Sequence, residues 1–120
     1  MSRVVFIPIK DNNDKLAKLT TILQSHFEKG QAVHVLAPNP QVIEFVDQLL
    51  WRLPAHSFLP HSTSNKELIT IGETPNDATI IFNLTPSPLL TSSVKLIYEY
   101  EKETHFKTYK DAGFPISTLQ

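Results

Sequence analysis

Two strand–helix pairs followed by three further strand patterns predict an α/β protein, a Rossmann-like three-layer sandwich with a mainly parallel central sheet. Three observations carry this expectation. The strand candidates are short apolar runs rich in β-branched residues, as in strands buried on both faces. Between the first of them lie segments with apolar residues at helical spacing. Those segments are long enough to act as crossovers, and a strand–helix–strand crossover is right-handed and joins parallel strands.

Taken in order, residues 3–9 (RVVFIPI) read as a buried strand, with Pro8 marking either its end or an edge position. Asp11-Asn12-Asn13-Asp14 supplies turn and N-cap residues. Leu16, Leu19, Ile22, Leu23 and Phe27 then recur at helical spacing, and Gly30 is the stop signal. Residues 31–37 (QAVHVLA) read as the second strand, closed by Pro38-Asn39-Pro40. Val42, Ile43, Phe45, Val46, Leu49 and Leu50 define a second helix ending near Trp51 and before Pro54. A polar loop is expected from His61 to Lys66. Strands follow at 67–72 (ELITIG), 78–84 (ATIIFNL) and 93–100 (SVKLIYEY), with Thr85-Pro86-Ser87-Pro88 breaking the chain. A last short helix runs from Glu101 to Asp111 and stops at Gly113.

The whole chain, 1–120, is expected to form one domain, large enough for a core without disulfide or metal staples. With 41% hydrophobic and 19% charged residues the composition is that of a globular protein. No run approaches the ~18 apolar residues of a membrane helix, and residues 1–8 lack the apolar core of a signal peptide. A cytoplasmic protein without membrane contact is the expectation. The absence of cysteine excludes thiolate chemistry and cysteine metal sites. A net charge of −1 excludes a global basic field for nucleic acid, so any DNA contact is expected to be indirect.

Catalytic signatures are missing. The first strand–helix turn, Lys10 to Asp14, has no glycine and two carboxylates that repel phosphate. His26, His34, His56, His61 and His105 form no metal-ligand spacing, and no cofactor or metal is expected. Asp11 and Asp14, beside the end of the first strand, fit acid–base groups of a small hydrolase or nuclease, as do the loop histidines His56 and His61. Helix capping explains the two aspartates with less effort.

Two segments read as binding surfaces. The first, LWRLPAHSFLPH (50–61), places Trp51 at a helix end and Phe58 in a proline-bounded piece. Trp is a dominant interface anchor, but both rings also fit a core beneath the loop. An ordinary oligomer contact is a further reading of this aromatic loop. The second is FKTYKDAGF (106–114), preceded by Lys102. On a helix, Phe106, Tyr109 and Lys110 share a face, as do Lys107 and Lys110. An aromatic ring beside two lysines suits an acidic peptide with an apolar tip; a solvated amphipathic helix is the plainer account.

The same two segments resemble the chi subunit family of the bacterial DNA polymerase III holoenzyme. LLWRLPAHSFLPH is similar to the family's tryptophan, proline and S-F-x-P-H. FKTYKDAGF is similar to its Y-K-x-Y-x-x-A-G-F, and the order of elements agrees. The resemblance implies a non-catalytic replisome adaptor with a Rossmann-like fold. It implies one surface for a psi-like clamp-loader subunit or a repair helicase, with Trp51 and Phe58 as anchors framed by Pro60 and His61. It implies a second surface for the acidic C-terminal tail of single-stranded-DNA-binding protein, with Phe106 and Lys107 and, in the flanking turn, Gly113 and Phe114; Lys110 is added from its helical spacing alone. Glu101 and Glu103 oppose such a tail; Lys102 and Lys110 offset them.

Overall fold

The structure, a computed structural model, describes residues 2–52, 61–62, 68–91 and 93–119, with the backbone alone at 51, 52, 61 and 62. Seven strands form one sheet: β1 (Arg3–Ile7), β2 (Val33–Leu36), β3 (His61–Ser62), β4 (Ile69–Gly72), β5 (Ile80–Asn83), β6 (Leu96–Tyr100) and β7 (Ile116–Thr118). Three helices, α1 (Asn12–Glu28), α2 (Pro40–Arg52) and α3 (Glu103–Asp111), complete the described elements. The sheet order is β3-β4-β2-β5-β6-β1-β7, and every pairing is parallel. The predicted mainly parallel sandwich is therefore wholly parallel among the described residues.

The connections explain the layers. From β1 through α1 to β2, and from β2 through α2 to β3, the chain moves in one direction along the sheet. From β6 through α3 to β7 it moves in the other. Right-handed crossovers then put α1 and α2 on one face and α3 on the opposite face. Period-2 alternation fills both. Val5, Ile7, Val33, Val35, Ile71 and Phe82 pack with Leu19 and Leu23 of α1 and with Val46 and Leu50 of α2. Val4, Phe6, Ile81 and Ile97 pack with Tyr109 of α3. Pro8 ends β1, which lies inside the sheet between β6 and β7.

Two strands were not expected from sequence. β7 follows Pro115 and carries one partly buried apolar residue, Ile116, so it has no alternation to recognise. β3 lies at the start of the expected polar loop and is two residues long. Both are edge strands, where short pairings suffice.

Helix ends are set locally. Asp11 caps α1, accepting the Asp14 N–H at 2.8 Å, while Asn39 accepts the Val42 N–H at 2.9 Å at the start of α2. α3 ends in a left-handed Gly113 (φ 85°). The Gly113 N–H donates to the Lys110 carbonyl at 3.0 Å and the Phe114 N–H to the Tyr109 carbonyl at 3.1 Å. The Tyr109 and Phe114 rings then meet edge to face at 5.3 Å. This is a Schellman closure, and it turns the chain directly into β7.

A buried histidine makes stability sensitive to pH. The buried His34 ring on β2 has a partner at each nitrogen, the Thr70 hydroxyl 2.7 Å from Nδ1 and the Thr74 carbonyl 2.8 Å from Nε2. Burial disfavours its charged form and holds its pKa below the ordinary 6.5. The unfolded chain therefore binds more protons just below pH 6.5, and stability falls as pH drops through that range before levelling off beneath the folded-state value. Urea denaturation at pH 7.5 and 5.5 should show this loss. A His34→Gln variant should show a smaller loss than the parent.

Candidate protein-docking site

α3 joins the carboxyl end of β6 to β7, and its burial is one-sided. His105 and Tyr109 face the sheet and are buried, whereas Phe106 is 43% exposed and Lys107 and Lys110 are exposed. The shared face expected for Phe106, Tyr109 and Lys110 is thus divided. Tyr109 turns into the core. Its ring packs against Phe6 at 6.1 Å, and burial together with the adjacent Glu99 carboxylate pushes its phenol pKa well up. Phe106 sits at the border, its ring 5.6 Å from that of Phe6, with its outer face open to solvent. Lys110, four residues on, lies on the same flank.

What holds α3 in place is a buried polar cluster that sequence reasoning did not find. Glu99 of β6 is 2% exposed and is the hub. One carboxylate oxygen accepts from Asn83 Nδ2 (2.7 Å) and from the Tyr109 hydroxyl (2.6 Å). The other accepts from His105 Nδ1 at 3.0 Å. His105 Nε2 faces the Pro86 carbonyl at 2.9 Å, so each ring nitrogen has a partner. Asn83 also donates to the Ser87 carbonyl, and the Tyr109 hydroxyl accepts the Leu89 N–H. The 85–89 connection and α3 are thereby clamped to β5 and β6. The available signal was the alternation of LIYEY, which places Glu99 on the same face as Ile97.

An open cleft of about 880 Å³ lies at the carboxyl ends of β1, β2, β5 and β6. Ile9, Leu16, Val42 and the 48%-exposed Phe45 form apolar walls. This is where ligands bind open parallel sheets. The buried polar side chains at its floor are engaged with one another, and every buried polar side-chain atom among the described residues has a partner. Asp11 and Asp14 are occupied by the helix start. Asp14 accepts the Lys10 N–H at 2.9 Å and pairs with Lys18 at 3.2 Å, and the Lys10 bond in particular lowers its pKa. Among the described residues no cluster of three metal-ligating side chains occurs.

Of the other sequence-singled residues, Trp51 belongs to the last turn of α2 and His61 begins β3. Phe58, Pro60 and His56 lie outside the described residues. Gly113 and Phe114 form the turn between α3 and β7. The elements bearing the two motifs therefore approach opposite edges of the sheet: β3 is one edge strand, and β7 beneath α3 is the other.

The chain is thus an α/β protein of the Rossmann-like, parallel-sheet class, with an exposed aromatic–lysine face on the helix beside one sheet edge. It belongs to the chi family of replication proteins: the family model described as "DNA polymerase III chi subunit, HolC" matches residues 1–117. No curated protein and no solved structure matches the chain. Membership places it among the accessory subunits of the DNA polymerase III holoenzyme, with protein partners in replication. No helix among the described residues is long and apolar enough to cross a membrane.

Proposed function

We propose that the protein is a non-catalytic, cytoplasmic adaptor that joins two partners at opposite edges of its sheet. One is a psi-like clamp-loader subunit or a repair helicase, bound through Trp51, Phe58, Pro60 and His61. The other is the acidic C-terminal tail of single-stranded-DNA-binding protein, received by Phe106, Lys107, Lys110 and the Gly113 turn. The observation that carries this reading is the exposed Phe106 ring beside two exposed lysines, on a helix otherwise pinned to the sheet. The ring offers apolar surface, the amines offer charge, and the Glu99 cluster keeps both in fixed positions. Rigid presentation lowers the ordering cost of binding.

Family membership supports the same reading, as does the separation of the two motif-bearing edges. They are six strand spacings apart, about 29 Å. At that distance two partners bind without touching, and exposed charges on one surface are screened from the other.

Calorimetry tests the tail site. A synthetic acidic peptide with an apolar C-terminal residue should bind the wild type, and binding should weaken as salt rises. Lys107→Ala should weaken it roughly 5- to 10-fold, the loss of one charge-assisted contact. Binding that ignores both salt and Lys107, or no binding at all, removes this part of the function.

A further inference from the structure

Among the described residues β7 is an edge strand whose outer side is unpaired. In a parallel ladder, alternate residues turn their N–H and C=O groups towards the same neighbour. The Val4 N–H donates to the Pro115 carbonyl at 2.9 Å and the Leu119 N–H to the Phe6 carbonyl at 2.8 Å. The odd-numbered residues of this segment therefore face β1, and Ile116 and Thr118 direct their backbone groups outward. Among the described residues no strand pairs with them. The edge also lacks the usual protections. Ile116-Ser117-Thr118 carries no charge, and Pro115 falls at a position facing β1.

The α3 face above this edge is prepared for side chains. Ile116 and Thr118 pair with Val4 and Phe6, so their side chains project towards α3. Phe106 packs on Phe6 from that side and leaves much of its ring uncovered. Lys110 follows on the same flank and Lys107 stands beyond it. Among the described residues neither lysine is paired with a carboxylate, including Glu103, one turn before Lys107.

We propose that the acidic peptide docks as an added strand on the open edge of β7, hydrogen-bonded to the outward N–H and C=O groups of Ile116 and Thr118. Alternate side chains of that strand run beneath Phe106, and its carboxylates meet Lys107 and Lys110. The inference rests on the tail-binding reading and adds its mode: main-chain bonds give affinity, the ring accepts an apolar side chain, and the lysines select for acid. Among the described residues a free backbone edge, an apolar shelf and cations without a carboxylate partner coincide here.

Two experiments test it with a fluorescein-labelled acidic peptide ending in an apolar residue. The first uses Thr118→Pro, which deletes an outward donor while leaving the β1 ladder bonds in place. Losing one or two main-chain bonds should weaken binding about tenfold. The second keeps the wild-type protein and methylates the peptide amides one at a time. Every second methylation should weaken binding to the same extent, and the intervening ones should be tolerated.

Wild-type affinity in Thr118→Pro overturns the strand mode and leaves docking by side chains. If Thr118→Pro fails to fold, the methylation series decides, and tolerance at every amide overturns the proposal. A dimer of the protein alone, abolished by Thr118→Pro, assigns the edge to a second copy and also overturns it. Absence of binding by the unmodified peptide removes the tail site itself.

Discussion

Replacing Glu99 with leucine is expected to cost about 3–5 kcal/mol of stability, because each buried donor left without an acceptor costs roughly 1–3 kcal/mol. The carboxylate accepts three hydrogen bonds from three different side chains in a site almost without solvent. A leucine of similar bulk offers no acceptor. The His105 ring, the Asn83 amide and the Tyr109 hydroxyl then lose this partner, and a buried unpaired donor carries its full desolvation cost. Against a total of ~5–15 kcal/mol for a chain of this size, the variant should approach unfolding at physiological temperature. Urea denaturation reads the loss directly. In a double variant that also carries His105→Gln the loss should be smaller than the sum of the two single losses, because both substitutions remove one shared interaction. Stability within 1 kcal/mol of the wild type, a threshold set by typical surface substitutions, shows that the cluster is not a clamp.

Trp51→Ala should separate folding from function. Val46, Leu49 and Leu50 form the buried arc of the same helix, α2. As an anchor for a partner, Trp51 should contribute ~2–4 kcal/mol of binding, a 30- to 1000-fold loss of affinity on truncation. The unfolding midpoint should stay within a few degrees of the wild type. A core tryptophan would behave otherwise, losing ~3–5 kcal/mol of stability through the cavity it leaves. Thermal unfolding followed by circular dichroism distinguishes the two readings. A large drop in the midpoint assigns Trp51 to the core and ends its role as an anchor.

The strands and helices legible in the sequence are those whose burial imposes a period. β1, β2, β5 and β6 are central, buried on both faces, and read as apolar runs; α1 and α2 carry stripes that match them. β7 and β3 were illegible because an edge needs few residues and little apolar content: Ile116-Ser117-Thr118 gains its structure from the β1 backbone and from the Schellman turn that delivers it. The docking face was half legible. Three- and four-residue spacings group Phe106 with Tyr109 and Lys110. The dividing line between buried and exposed depends on where Glu99 draws the helix down, and that is a tertiary fact. Glu99 itself was hidden by the ordinary expectation that a glutamate in a strand faces water.

Whether two independent docking surfaces exist is tested most directly by one affinity capture from native cell extract. Wild-type protein, Trp51→Ala and Lys107→Ala are compared with the retained proteins identified by mass spectrometry. The wild type should retain both a clamp-loader subunit or helicase and single-stranded-DNA-binding protein. Trp51→Ala should lose the first and keep the second, and Lys107→Ala should do the reverse. Loss of both partners together in either folded variant, or retention of both in each, contradicts an adaptor with separate surfaces.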